Sequence, residues 1–400
     1  MSFFLITYTL IALVIVLVAF IELVSRRVIF ANNRSIQRIF GHPLLRYSIR
    51  RIGSSLVTVL LAVIVTFFLI RATVSINGGI DQICNAKVFG GKSHTFPPSV
   101  VAARCAIFRE EMGFAGNSFE QLWNFLYSIL PFPKLLCTYY HQITETGLNV
   151  MVGENCRPFV MDLGKIFTVR ITGVQEPVYT IDFMMERMMV SFPIMMIATA
   201  VSMVLGYPLG ILMAKHKDGV IDHAGNAYIV FTEAIPGVAY YYIWMALLVG
   251  VFALPASYID GNPISWLPAI ITMGFSGLIG PAFWMRRFMV DEFSADYVKF
   301  ARAKGLSEGK IMSKHVFRNA LVPLVRGIPG AIFGSLLGSF FIENMYQIPG
   351  IGGLLMSAVN EKEYFALQGI VIVGALISII SFLLGDIVTA VADPRIRLSK

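Results

Sequence analysis

Seven long apolar runs dominate the chain: Met1 to Val24, Leu44 to Ile70, Met184 to Ala214, Ala224 to Leu254, Ile264 to Met285, Leu321 to Ile342 and Ala366 to Val391. Each is long enough to cross about 30 Å of hydrocarbon at 1.5 Å per residue as a helix. In lipid every backbone donor and acceptor must be satisfied internally, so only helices and closed barrels span a membrane. The runs lack the strict alternation of barrel strands, which leaves helices. Composition agrees: 56% of residues are hydrophobic, 14% are charged and mean hydropathy is +0.72. The expected fold class is an all-α polytopic membrane protein with about seven transmembrane helices.

The net charge of +8 is distributed as a membrane protein distributes it. Between the first two runs and in the basic start of the second lie Arg26, Arg27, Arg34, Arg38, Arg46, Arg50 and Arg51 with no acidic residue, and Lys215, His216 and Lys217 follow the third run. The positive-inside rule puts these segments in the cytoplasm, the N-terminus outside and the C-terminus inside. That pattern makes the basic excess a topology signal, with no call for a nucleic-acid partner. The charge follows the first apolar run, whereas a secretory signal needs it in front, so Met1 to Val24 reads as an uncleaved anchor.

From Arg71 to Asp182 the pattern changes to Pro, Gly and Asn between short apolar clusters, with acidic and basic residues in balance. This reads as an inserted external domain. All four cysteines, Cys84, Cys105, Cys137 and Cys156, fall inside it. That partition points to two disulfides in an oxidising compartment, with three pairings open. Metal ligation is disfavoured, because no CxxC spacing occurs and His94 and His141 stand alone.

Inside the later runs a few residues break the apolar pattern. Pro193, Gly206, Pro208 and Gly210 predict an irregular helix buried among neighbours. Glu233, followed by Pro236 and Gly237, is a rare acid in a span: it can line a path, or be held by hydrogen bonds as a structural group. Tyr240, Tyr241, Tyr242 and Trp244 read as packing with some members free to face a path. Gly327, Gly330, Gly334 and Gly338 would let helices approach closely. Asp386 is expected to bond within the bundle.

The second half holds one large charged island, Met285 to Pro323. Phe293, Tyr297, Phe300 and Ala301 recur at helical spacing, predicting one amphipathic helix as far as Lys304. Gly305 stops it with a positive φ or a close approach, and Ser307 is placed to cap a second helix running toward Pro323. Leu306 and Ile311 continue the apolar surface.

The strings ADYVKFARAKGLSE and HVFRNALVP in this island resemble the cytoplasmic coupling loop of permease subunits of bacterial binding-protein-dependent ABC importers, in the dipeptide and oligopeptide class. The wider family's Glu-Ala-Ala triplet is here Lys299, Phe300 and Ala301, and Pro323 lies further from the glycine than the family's proline; the peptide-importer branch shares both departures. Glu343, an aromatic, and Pro349, Gly350 and Gly352 match that branch's external element, and Asp393 to Arg397 its cytoplasmic tail. The resemblance covers about Leu44 to Arg397.

The resemblance implies the type I ABC importer permease fold, laid out as an extra N-terminal anchor and basic linker (1–43), a first family-type helix (44–70), an external domain (71–183), a transmembrane core (184–392) with its coupling loop at 286–320, and a tail (393–400). It implies a path for di- or oligopeptides across the bacterial inner membrane. The partners implied are a second homologous permease, two cytoplasmic ATPases, an external binding protein, the peptide and membrane lipid. ATP and Mg would sit on the ATPases, and this chain would bind no cofactor and catalyse nothing. Coupling would fall to Tyr297, Phe300, Ala301, Ala303, Gly305 and Leu306, the path to Glu233, Pro236, Tyr240 and Glu343, and an external gate to Pro349, Gly350 and Gly352.

Other chemistries find little footing. The closest string to a phosphate-cradling loop, Gly305 to Ile311, has one residue too few between its glycines and Ile where a hydroxyl belongs. No HExxH or GxSxG occurs. An importer of nickel or another chelate shares the architecture and stays open as the cargo. An ion-coupled secondary transporter would need midplane charges and inverted repeats, for which Glu233 is the strongest candidate and no repeat is seen.

Overall fold

The computed structural model describes residues 43–76, 79–130, 133–143, 149–159, 161–174 and 177–392. The expected anchor at Met1 to Val24, the arginine-rich linker as far as Arg38 and the tail at 393–397 lie outside the described residues. The fold is helical, with α1 at Pro43–Ile76, α2 at Gly79–Val88, α3 at Pro98–Glu111 and α4 at Ser118–Ile129. A hairpin of β1 (Lys134–Ile143) and β2 (Asn149–Phe159) follows, then α5 (Thr180–Lys215), α6 (Val220–Ala234) and α7 (Gly237–Met245). Next come α8 (Leu267–Gly277), α9 (Ile279–Phe293), α10 (Asp296–Ala303), α11 (Phe317–Val325), α12 (Ile328–Gly334), α13 (Phe340–Met345), α14 (Ile351–Asn360) and α15 (Tyr364–Ala392).

Among the described residues five helical stretches are long and apolar enough to cross a membrane: Leu56–Val74, Thr180–Lys215, Pro263–Phe293, Ile328–Met345 and Tyr364–Thr389. A sixth is the broken pair Val220–Ala234 and Gly237–Val251, bent by 108°. These are the six spans expected after Met1 to Val24. The break falls at Ile235 and Pro236, where proline cannot continue the helix and disfavours helical backbone in the residue before it.

Two compact units emerge. The first joins 53–186 to 357–375. Its core is Val74, Ile83, Cys84, Phe89, Cys105, Phe108, Met112 and Tyr364. A disulfide between Cys84 and Cys105 ties α2 to α3 through that core. β1 and β2 are antiparallel with Cys137 opposite Cys156, and Cys156 is itself disulfide-bonded. Of the three pairings open in the sequence, the fold selects the one containing Cys84–Cys105. α4 opens with a full capping box, Asn117 accepting from Glu120 N–H at 2.9 Å while Glu120 reaches back to Asn117 N–H. The hairpin is a β element that the sequence reading did not foresee. Glu363, fully buried in this unit, accepts from Lys87, Thr168 and the Phe167 N–H.

The second unit joins 43–52, 187–356 and 376–392 and carries most of the spans. Two expectations change here. α5 runs unbroken through Pro193 and Pro208, and it packs so closely on its neighbour that a Cβ at Gly206 would meet the Leu278 carbonyl oxygen at 2.6 Å. The apolar run ending at Ile342 is in pieces: α11, α12, a short 3-10 turn at Ser335–Leu337 and α13. A Cβ at Gly330 or Gly334 would meet no atom of the described residues within 4 Å, so among these residues neither glycine is required by a close helix approach. Asp386 does bond within the bundle, to Arg326 at 3.0 Å.

Candidate functional site

The charged island folds on the ends of two spans. α9 carries the span past the expected limit at Met285 to Phe293, and the single amphipathic helix expected as far as Lys304 is broken at Ser294 and Ala295. Ser294 Oγ donates back to the Asp291 carbonyl at 2.7 Å, and Ala295 is extended with ψ 148°. A serine that bonds its own helix backbone offers the chain an alternative to another helical turn. α10 then starts afresh at Asp296.

The sequence after α10 closes as a Schellman turn. Gly305 has φ +76° as predicted, its N–H donates to the Arg302 carbonyl at 2.9 Å, and Leu306 N–H donates to Ala301 at 3.2 Å. Ser307 occupies the cap position, but its side chain makes no capping bond. Residues Ile311–Val316 form a π-helical turn before α11. Such turns carry one extra residue per turn and concentrate at functional sites.

One face of this segment belongs to the unit's own core. Val298, Ala301, Ile311, Val316 and Ala320 are buried with Ala214, Met285 and Met289, and Phe293 and Tyr297 pack against them. Tyr297 also donates its hydroxyl to Glu292 across the break, and burial with that carboxylate pushes its phenol up to about 12. Of the six expected coupling residues, Tyr297 and Ala301 therefore face inward, as does Ile311, which had been placed on the outer apolar surface. The other face is free: Phe300 is 69% exposed, Leu306 37%, and Ala303 and Gly305 are exposed beside them. Around them Lys299 pairs with Asp296 at 2.8 Å, and Arg302 grips Glu308 with bonds of 2.6 and 3.2 Å. The arrangement is an apolar knob on a braced elbow.

The brace begins further back. Asp222, buried at the start of α6, takes both Nε and Nη2 of Arg286 on α9, the latter at 2.7 Å. Removing either partner would leave a poorly solvated charge. The sequence reading passed over this pair, since the two residues are 64 positions apart. Only the presence of an Asp at a helix start and an Arg inside an apolar helix could have raised it.

The path candidates separate. Glu233 and Pro236 lie at the 108° break and are exposed, and among the described residues no group hydrogen-bonds the Glu233 carboxylate. Tyr240 is 4% exposed, and its hydroxyl meets that of Tyr228 at 2.9 Å, while Tyr228 donates to the Phe275 carbonyl at 3.0 Å. Tyr240 is a packing residue. Glu343 also lies inside the fold. It is fully buried, accepting from Ser339 N–H at 3.2 Å and Gly353 N–H at 3.0 Å, with Ser191 also bonded to it.

That carboxylate organises the expected gate element. Ser191 on α5 accepts the Ile351 N–H at 2.9 Å, so the turn through Pro349 and Gly350 into the short apolar helix α14 is anchored at both ends. A Cβ on Gly350 would strike the Glu343 carboxyl, and one on Gly352 would lie 2.7 Å from Ser339 carbon. Gly350 is demanded by the buried Glu343 and Ser191, and Gly352 by the backbone at Ser339 and Phe340. Among the described residues no cluster of three or more His, Cys, Asp or Glu is arranged for a metal.

Comparison with known proteins places this architecture. The family described as binding-protein-dependent transport system inner membrane component matches residues 206–398. AmiC of Streptococcus pneumoniae, an oligopeptide transport system permease protein, is 41% identical over 52% of this chain. The chain spans 44% of AmiC's length. DppB of Bacillus subtilis, a dipeptide transport system permease protein, is 31% identical over 57% of this chain and 74% of its own. A solved inward-facing MetNI methionine ABC transporter overlaps 54% of this chain and 98% of its own at a TM-score of 0.44 with 13% identity. By the extent and identity of the match to DppB, together with the family match across the elbow and the gate element, the chain belongs to the family of binding-protein-dependent transport system inner membrane components.

Proposed function

We propose that this chain is a membrane-spanning permease subunit of an ATP-driven importer of di- or oligopeptides, handed its cargo by an external binding protein. It pairs with a second homologous permease, and two cytoplasmic ATPases dock on the elbow around Gly305. ATP and Mg belong to those ATPases. The chain sits in the bacterial inner membrane with its N-terminus outside and its C-terminus in the cytoplasm.

The observation that carries this reading is the two-sided elbow. Its inner face is fixed to the ends of two spans by Val298, Ala301 and Ile311, while Phe300 and Leu306 stand free. An exposed aromatic on a short, braced helix is suited to a groove on a partner, and a force applied there passes through buried contacts to α9. Closure of paired ATPases would draw such elbows together and favour an outward-open permease, and the bias comes from the different affinity of the partner for the two states. The peptide cargo follows from the relatives and from family membership.

The test is subunit retention in the detergent-solubilised complex. Phe300→Ala should weaken ATPase association by about 2 kcal/mol, as loss of an interface anchor does, while Lys299→Ala, a rim charge already paired to Asp296, should change it little at physiological salt. Loss of the ATPase from Lys299→Ala with full retention by Phe300→Ala would overturn the apolar-knob account.

A further inference from the structure

The first unit buries an acid that the transport reading does not use. Glu363 is fully buried, and its ion-pair partner Lys87 keeps only 9% of its side chain exposed. Lys87 also donates to Thr168 Oγ1 at 2.9 Å, and Thr168 Oγ1 and the Phe167 N–H donate to the same carboxylate. All three donors reach Oε1, and among the described residues Oε2 has no partner. A buried ion pair is weak evidence for stability, because well-packed apolar side chains often serve as well, so what this pair holds in place matters more.

It holds the turn between α14 and α15. The first turn of α14 carries Gly352, one of the residues expected to form an external gate. At its other end Lys362 N–H donates to the Val359 carbonyl at 3.3 Å and Glu363 N–H to that of Ala358 at 2.8 Å, with Lys362 in left-handed backbone at φ +55°. That conformation suits glycine, and a residue with a Cβ keeps it only where the surroundings over-determine it. The inserted domain supplies those surroundings on both sides of Lys362. Arg170 pairs with Glu361 at 3.2 Å, and Lys87, Thr168 and Phe167 hold Glu363. Beyond the turn, Tyr364 is part of the insert's core and Phe365 lies so close to Gly164 that a Cβ there would strike its ring. Lys87 is itself fixed, since Cys84, one turn earlier on α2, is bonded to Cys105.

We propose that the insert is a rigid clamp on this turn, with Lys87 and Glu363 as positioning residues that keep Lys362 left-handed and so set how α14 leads into the last span. The clamp stands on these contacts alone, and its consequence for transport rests on the permease reading given under Proposed function.

The test is hydrogen exchange on the purified full-length chain, read in peptides covering 358–366 and in peptides of α2 and α3. Lys87→Met keeps the length of the side chain but leaves Glu363 buried without its ammonium, and exchange across the turn should rise about tenfold. Adding Lys362→Gly should return it to within about twofold of the unaltered chain, because glycine adopts left-handed backbone without help. Lys362→Ala removes the same side chain without relieving the backbone and should not restore protection. Lys87→Arg, whose fork can also reach Oε2, should keep the turn protected. If Lys87 only stabilises the insert, exchange will rise in α2 and α3 as much as in the turn and Lys362→Gly will not reverse it; that pattern, or a turn still protected in Lys87→Met, overturns the clamp. Should Lys87→Met fail to fold, Arg170→Gln decides: cutting this exposed pair should loosen the turn about twofold, again reversed by Lys362→Gly, and an unchanged turn overturns the clamp. In the whole importer, peptide uptake should fall in Lys87→Met and recover in Lys87→Met/Lys362→Gly. A loosened turn with normal uptake would overturn the positioning role. An unaltered complex that takes up no peptide would instead overturn the permease reading, with the exchange measurements still deciding the clamp.

Discussion

The two polar regions of this chain, the insert that begins at α2 and the elbow from Ser294 to Val316, are held by different means. The insert has a modest core and relies on a covalent bridge: Cys84 and Cys105 are both buried, and the bond between them crosses the core they help form. The elbow has no cysteine. It is held by aliphatic side chains sunk among span ends, by one glycine in left-handed backbone and by a polar strut from Tyr297 to Glu292. A region that must hold its own shape can be cross-linked, whereas one that must pass motion to the helices beneath it has to be continuous with their packing.

The largest effect expected from this contrast is on the insert. The Cys84–Cys105 bridge closes a loop with a sequence separation of 21, and loss of such a constraint costs roughly 3 kcal/mol. Cys84→Ser should expose α2 and α3 to limited proteolysis while cleavage within 294–316 keeps its original rate. If both regions become susceptible together, they are one cooperative unit and the contrast fails. Thiol labelling of the unreduced variant should also report one new free cysteine, Cys105.

A smaller effect is expected at Gly305. Among the described residues no atom lies within contact distance of a Cβ there, so the cost of a side chain is the backbone alone, about 1–2 kcal/mol for a non-glycine residue in left-handed conformation. Gly305→Val should loosen the elbow and lower ATPase retention without altering expression or the proteolytic pattern of the insert. Gly305→Asn should be milder, because asparagine enters that conformation more readily. Equal behaviour of Val and Asn would show that the turn is not what the elbow depends on.

The legible and the hidden parts of this fold divide by range. Spans could be read from apolar length and the turn at Gly305 from its place after a helical pattern, since each is a local property of a few consecutive residues; the break at Pro236, in what reads as one run from Ala224 to Leu254, came only with the structure. The gate string Pro349, Gly350 and Gly352 was visible, but the reason for it was not: Glu343 is buried beneath it and bonded to Ser191, 152 positions earlier in the chain than the acid. Helical spacing put Phe293, Tyr297, Phe300 and Ala301 on one strip, yet only Phe293, Tyr297 and Ala301, four residues apart in turn, share the inner face, while Phe300, beside Ala301 on the same unbroken α10, lies off it and is exposed. Spacing offers candidates for a face, and packing with distant segments decides which of them is buried. Asp222 and Arg286 show the same limit, because neither half of the pair is informative without the other.

The smallest effect separates the two regions by pH. Arg302 holds the Glu308 carboxyl below its usual range, and Glu308 in turn raises the Arg302 guanidinium. A carboxylate with a depressed folded value stabilises the fold above its unfolded value, and that contribution is lost as pH falls through the depressed one. Both groups are exposed at the surface, where solvent screens such pairs, so the effect is confined to local opening of the elbow. Hydrogen exchange at Leu306 to Lys310, corrected for the intrinsic rate at each pH, should show protection that is constant near neutrality and falls once the medium is more acidic than the usual glutamate range. Glu308→Gln should flatten that dependence, and high salt should shrink it. The insert's Cys84–Cys105 bridge does not titrate, so acid leaves the covalent tie between α2 and α3 in place. An elbow whose protection is unchanged by acid, or one in which Glu308→Gln leaves the acid response intact, would move the pH-sensitive brace elsewhere, with the Tyr297–Glu292 strut as the next place to look.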